Sequence, residues 1–315
     1  MDDTAPRERH ERRRHGNSRS GVVHGVVFAG ALVVAFLTRP RAGAGIALLF
    51  LIFVPIEKVF ALRQQKVLRK GIVTDLTHLL VNNLLVTAAV FVAVVISALP
   101  LLWVRTVDIQ GALPAPVSVS LAVVLVFLGS YWGHRLTHTV PQLWRFHAVH
   151  HSIEQMDWVA AGRLHPLDSA FTQAFTVMPL VALGYGGGVF AGATIFITLL
   201  AIFEHANVRL RFPYLRWVIN TPEWHHWHHS LDEAARDKNF GLPIVDRIFG
   251  TAYLPKDRRP TGFGTTAPVP PTGYLQHLAY PFTKSARDAD LPPVTPHDAP
   301  PPIPVGGCAA VMQGR

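Results

Sequence analysis

A single cysteine, Cys308, stands among 315 residues. No disulfide can close within such a chain, and thiolate-bound zinc and iron–sulfur clusters have no ligands to draw on. Any metal held here is held through nitrogen and oxygen. Charge is also scarce: 16% of residues are charged and 50% are hydrophobic, which points to the membrane class ahead of any soluble fold. The net charge of +9 invites a nucleic-acid reading, but the basic residues form no stripe with interleaved aromatics, and that class is set aside. Most of the basic excess lies in short loops beside apolar runs, as on the cytoplasmic face of membrane proteins. The zinc-protease pattern H-E-x-x-H is missing too, as are a Gly-rich dinucleotide fingerprint and a flavin site.

Along the chain, residues 1–20 are polar and Arg-rich and read as a disordered basic tail. The apolar run 21–37 follows, taken as a retained first span and not a signal peptide, because further apolar segments come after it. Runs at 45–62, 79–104 and 117–133 approach the ~20 residues needed to cross a bilayer. A basic loop, 63–70, separates the first two of these. Two shorter runs, 169–184 and 189–203, flank Gly184-Tyr185-Gly186-Gly187-Gly188 and read as a shallow helical hairpin. Basic loops then place the N-terminus and the 134–229 region on the cytoplasmic side, although Arg39 and Arg41 fall in the loop expected outside. From 256 onward the chain is rich in proline and reads as an extended or disordered tail. The division expected is thus 1–20 tail, 21–255 membrane domain and 256–315 tail.

What the sequence has in abundance is histidine. Eleven of its seventeen histidines lie between 134 and 229, mostly in three clusters: His134 and His138; His147, His150 and His151; and His225, His228 and His229. Residues three and four apart share a helix face, so each cluster aims its imidazoles in one direction. Imidazole suits zinc, copper, iron and nickel. A catalytic zinc takes only three protein ligands, so eight histidines are too many for one such ion and sufficient for two adjacent irons. Two other readings stay open: a membrane metal-binding or transport protein, which would want ligands in mid-span, and a zinc-dependent membrane hydrolase, which lacks its glutamate. Asp168, Asn207, Asn239 and Asp246 are candidates to orient imidazoles by accepting their free N–H. Asn207 and Asp246 serve equally well as helix caps. Asp75 could position the site or start a helix. His24 and His78 read as packing or interfacial residues, and the tryptophans crowding the histidines mostly as interfacial anchors.

The three clusters, in their order and spacing, resemble the fatty acid hydroxylase superfamily in its sterol desaturase branch. The likeness covers roughly residues 75–254. It is supported by Arg163-Leu164-His165-Pro166, Glu204-His205-Ala206-Asn207, Asn239-Phe240-Gly241 and Asp246-Arg247-Ile248-Phe249-Gly250-Thr251. The resemblance implies an all-α integral membrane protein of about four transmembrane helices plus a short helical hairpin, with a cytosolic helical cap carrying a histidine-rich metal site. It implies two non-haem irons, O2 as co-substrate, and hydroxylation or desaturation of a lipid such as a sterol or fatty acyl chain. Ligand roles carry over to His134, His138, His147, His150, His151, His225, His228 and His229, with His205 as a further ligand. Some relatives carry another histidine four residues after His205, where this chain has Arg209; His165, Asn207 or water is then expected to fill the position. His226, off the matched spacing, is expected behind the ligands or exposed. The His165-Pro166 pair continues into Leu167-Asp168, unlike the haem motif of cytochrome b5, so electrons are expected from a separate ferredoxin or reductase.

Overall fold

The computed structural model describes residues 29–30, 40–101 and 109–289, with only some of the side chains beyond residue 82 in the second long helix. The basic tail 1–20, most of the first expected span and Cys308 lie outside the described residues. Those that are described are mostly helical and form no strand, only two isolated bridges, Ala61 with Val208 and Ser230 with Phe263.

Two long helices lead, α1 (Pro40–Val59) and α2 (Ile72–Leu101). The sequence suggests an apolar run beginning at 79, yet α2 starts a full two turns earlier and takes in Asp75 and His78. Both are buried there, and they are tolerated because both are satisfied. Asp75 pairs with Arg69 and Arg163, and His78 Nδ1 lies 3.0 Å from the Leu164 carbonyl.

Helix α3 (Ala115–Thr139) has Pro116 in its first turn and runs straight through the first histidine cluster. One extended residue, Val140, separates it from α4 (Pro141–His151), whose first residue is proline, a position where the missing N–H costs nothing. The expected hairpin is formed by α5 (Pro166–Ala182) and α6 (Gly187–His205). Gly184 turns the chain between them in the left-handed region, φ 77°, and the Tyr185 hydroxyl donates to the Ser118 carbonyl at 2.7 Å, fixing the turn to α3.

Helix α5 packs along both α2 and α3. Its approach to α3 depends on Gly129 and Gly133, a small-x3-small pair of the kind that lets membrane helices close on one another. A Cβ on Gly129 would collide with the Phe175 carbonyl oxygen, and one on Gly133 would lie 2.9 Å from Phe175 Cβ. This contact sets where the C-terminal turns of α3 stand, and hence where His134 and His138 point. By length and composition α3 and α6 are each long and apolar enough to cross a membrane. Both keep large apolar residues exposed, among them Val119, Val123, Ile195 and Phe196.

The short helices α7 (Pro222–His228) and α8 (Pro243–Ile248) complete the region around the histidines. The reading of 256 onward as a disordered tail needs correcting as far as residue 289. Helices α9 (Tyr274–Ala279) and α10 (Lys284–Asp288) pack back on the body, with Tyr280 and Ala286 buried against Ala148 and Val149 of α4. The Gly273 N–H donates to Thr74 at 3.0 Å, and His277 meets His78 at 2.9 Å. Proline richness signalled a lack of regular structure, but the aromatic residues between the prolines supply enough apolar surface to dock.

Candidate metal centre

The last turns of α3 and α6, the length of α4, and α7 with its C-cap His229 converge at one end of the helices. Nine of the ten histidines expected to bind metal meet there, in two groups. The first holds His134, His138, His147, His151 and His228; the second holds His150, His205, His225 and His229. Within each, one nitrogen per ring lies within 4.8 Å of all the others. His134 is half-buried and the other eight are buried.

Six of the nine imidazoles have the outward nitrogen committed, while His229 Nδ1 is buried without a hydrogen-bond partner. His134 Nδ1 lies 2.8 Å from the Phe240 carbonyl, His150 Nδ1 3.1 Å from that of Arg163, His205 Nδ1 2.7 Å from that of Ala201, and His228 Nδ1 2.7 Å from that of Lys238. A carbonyl can only accept, so each of these Nδ1 atoms carries the proton and each Nε2 presents a lone pair. Carboxylates do the same for His147, which meets Asp168 at 3.0 Å, and His138, which meets Asp237 at 3.2 Å. Glu204 Oε1 lies 3.6 Å from His225 Nδ1.

The inward nitrogens face one another. Nε2 atoms stand 3.1 Å apart in His134–His147 and His151–His228, 3.2 Å in His150–His205, 3.1 Å in His205–His225 and 3.0 Å in His225–His229. Two lone pairs at that distance repel unless something positive lies between them. One proton is enough for a single pair such as His78–His277. It is not enough here, because the Nε2 atoms of His205 and His225 each face two others, and a proton bridges only two atoms. Metal–nitrogen bonds of about 2.0–2.1 Å, meeting at angles between right and tetrahedral, put neighbouring donors roughly 2.9–3.4 Å apart. The second donor set therefore fits a metal ion, and the first fits one through its five convergent nitrogens, with His138 Nε2 buried and without a hydrogen-bond partner. Protonation is also opposed by burial, which with the neighbouring rings holds His150, His151, His225 and His229 well below the usual imidazole range, and His228 at about 3.

The remaining candidates named from the sequence are placed differently. His165 belongs to neither group: its Nδ1 accepts from the Leu167 N–H as the N-cap of α5, and its Nε2 reaches the Leu278 carbonyl at 3.3 Å. Asn207 exchanges hydrogen bonds with the backbone of Arg63 and so ties the end of α6 to the 61–63 segment. Asn239, at φ 60°, bonds the Trp224 and Tyr253 backbones. Asp246 caps the 240–241 loop by accepting from the Phe240 and Gly241 N–H groups. Of these four polar candidates only Asp168 touches an imidazole of either group. His226 is fully buried, against Phe263, and not exposed. Asp75 acts at one remove: it bridges Arg69 and Arg163 in a buried network with Asp157, and Arg163 supplies the carbonyl that orients His150.

Sequence reasoning named Glu204 only within the Glu204-His205-Ala206-Asn207 motif, with no role of its own, and passed over Asp237. The adjacency of Glu204 to His205 was a usable signal; Asp237 sits in a loop with φ 53° and gave none.

The clustered histidines fall in the part of the chain that known proteins match. The Fatty acid hydroxylase family model matches residues 119–251, the stretch that carries all nine clustered histidines. The ornithine lipid hydroxylase OlsE of Rhizobium tropici is 36% identical over 176 residues, 55% of this chain and 53% of the relative. The alkylglycerol monooxygenase of Homo sapiens is 30% identical over 190 residues, 56% and 42% of the two chains. A very-long-chain aldehyde decarbonylase, GL1-1, of Oryza sativa subsp. indica is 28% identical over 214 residues, 61% and 33%. The matches thus span about half or less of these relatives' lengths, and no solved structure matches. Residues 119–251 of this chain therefore carry a fatty acid hydroxylase domain.

Proposed function

We propose that the protein is a membrane-embedded, O2-dependent di-iron oxygenase that hydroxylates a lipid. The observation that carries this reading is the set of opposed Nε2 lone pairs, arranged in two groups of five and four imidazoles. His134, His138, His147, His151 and His228 hold one iron; His150, His205, His225 and His229 hold the other. The irons, when bound, supply activation of O2 for attack on an unactivated C–H bond. The chain's part is to hold the imidazoles, six of them with the outward nitrogen tied to a carbonyl or carboxylate, which fixes tautomer and ring orientation. It also encloses the second histidine group and presents the lipid to the centre.

The membrane reading is supported by α3 and α6, which end at His138 and His205 and thereby bring lipid-facing helices to the metal centre. Basic residues in the 63–70 loop, with Arg135, Arg145 and Arg163, favour the cytoplasmic side for the histidines. A separate ferredoxin or reductase then delivers electrons. Hydroxylation is preferred to desaturation because the relatives are named as a hydroxylase and a monooxygenase.

The test is metal analysis of detergent-purified protein expressed with iron, beside an H225A/H228A/H229A variant that loses ligands from both groups. About two irons per chain, largely absent from a folded variant, with 18O from 18O2 entering a lipid product, is the expected result. A single zinc that iron does not replace, or lipid turnover that continues without O2, overturns it.

A further inference from the structure

A cavity of about 60 Å³ lies between α3, α6 and the 240–242 loop. It touches His134 of the first group and His225 of the second, and its walls are otherwise mostly apolar, with Phe127, Ile197 and Leu200 contributed by the two candidate membrane helices. Three polar side chains break that pattern, Ser130, Glu204 and Asn220. Glu204 and Asn220 line the cavity, each 8% exposed. Glu204 turns Oε1 toward His225, whereas Oε2 is buried without a hydrogen-bond partner, and the same is true of Asn220 Oδ1. A buried carboxylate oxygen and a buried amide oxygen left unmatched are costly. The amide oxygen accepts, and so does Glu204 Oε2 when the carboxyl is ionised, so a donor satisfies both.

Resting on the oxygenase reading above, we infer that Glu204 and Asn220 form a recognition site for a hydrogen-bond donor, a hydroxyl or an ammonium, carried by the lipid substrate close to the carbon that is oxidised. The cavity decides the "close". It has room for a small polar terminus and a few carbons, and not for a sterol ring or the bend of a long chain. A donor seated against Glu204 Oε2 leaves its neighbouring carbons facing His134 and His225, and the apolar remainder runs back between α3 and α6. The substrate class is therefore a lipid oxidised near its polar end, in place of a plain hydrocarbon chain oxidised at depth. Glu204 and Asn220 are specificity residues in this scheme.

The experiment measures binding by the full-length, iron-loaded protein in detergent, without O2 or reductant, so that no turnover intervenes. Three probes are compared: 1-O-dodecylglycerol, its di-O-methyl ether, and 3-dodecyloxypropylamine. At least one donor-bearing probe is expected to bind about 10-fold or more tightly than the ether, the scale of a hydrogen bond to a charged group. Preference for the glycerol identifies a hydroxyl donor, preference for the amine an ammonium. Glu204→Gln and Asn220→Leu should each erase most of that preference while iron content stays at the wild-type level. Asn220→Leu is the safer of the two, since Asn220 meets no imidazole of either group. Equal binding of all three probes, which would mean that water alone satisfies the cavity, overturns the inference. So does a preference that survives Asn220→Leu, or a Glu204→Gln protein whose only defect is lost iron. The same titration run on metal-free protein keeps the two claims apart, because donor preference without bound iron would leave the recognition site standing and the oxygenase reading fallen.

Discussion

Five imidazoles converge in the first histidine group and four in the second, and the surroundings differ as much as the count. The first group borders a polar cleft of about 490 Å³, lined by His138, His151 and His228 together with Asp232, Glu233 and Asp237. None of the second group's histidines lines that cleft. They are shut in beneath the end of α6, and the group is linked through the shared Nε2 atoms of His205 and His225. The first group is thus well supplied with ligands and open to water; the second is leaner and enclosed. That contrast suits a centre in which one metal communicates with the aqueous side and the other with the lipid side, where His225 meets the small cavity between the membrane helices.

The sharpest way to break the comparison is to remove the atom that links the second group. His205→Ala leaves that group three imidazoles, and His150 and His225 without their shared neighbour. The expected result is loss of one iron of two, with activity at background, read by metal analysis and by the spectrum of the remaining ion. If both irons persist, the two groups are not the separate sites described. A milder change acts on the first group alone. Asp168→Asn removes the charge that fixes His147, and loss of such a supporting carboxylate weakens metal binding by about 10–100-fold. The weakened site should be one of two, with the other unchanged in a competition titration. The smallest perturbation needs no mutation: a water-soluble chelator should strip one iron markedly faster than the other, because only the first group borders the cleft. Single-phase loss of both would argue that the enclosure of the second group does not govern exchange.

The histidine clusters were legible because helical spacing alone puts residues three and four apart on one face, and His134, His138, His147, His150 and His151 needed nothing more. The helices ending in ligands were legible from apolar runs, within a turn or two. What orients the rings was mostly hidden. The acceptors for His134, His150, His205 and His228 are backbone carbonyls of Phe240, Arg163, Ala201 and Lys238, and a carbonyl leaves no mark on residue identity. Asn207 and Asn239 had the right chemistry to serve the imidazoles but are spent on loop backbones. Asp168 was visible because it stands in the first turn of a helix, two residues after Pro166. His165 shows the limit of motif reasoning: a histidine before proline reads as ligand or structure with equal ease, and here its ring caps α5. The docking of α9 and α10 was invisible for another reason, since proline content reports regularity of the backbone and not burial of the aromatics between the prolines.

The contacts of Gly273 with Thr74 and of His277 with His78 join parts of the chain 199 residues apart. During synthesis the two long helices and the histidine-bearing segments leave the ribosome well before the segment that closes over α2 and α4. Until residues near 280 emerge, Ala148 and Val149 at the heart of the second histidine cluster lack their Tyr280 and Ala286 cover, and α4 is free to shift. On the di-iron reading proposed above, loading of metal would follow completion of these contacts, so that an ion is not captured by a half-built set of ligands.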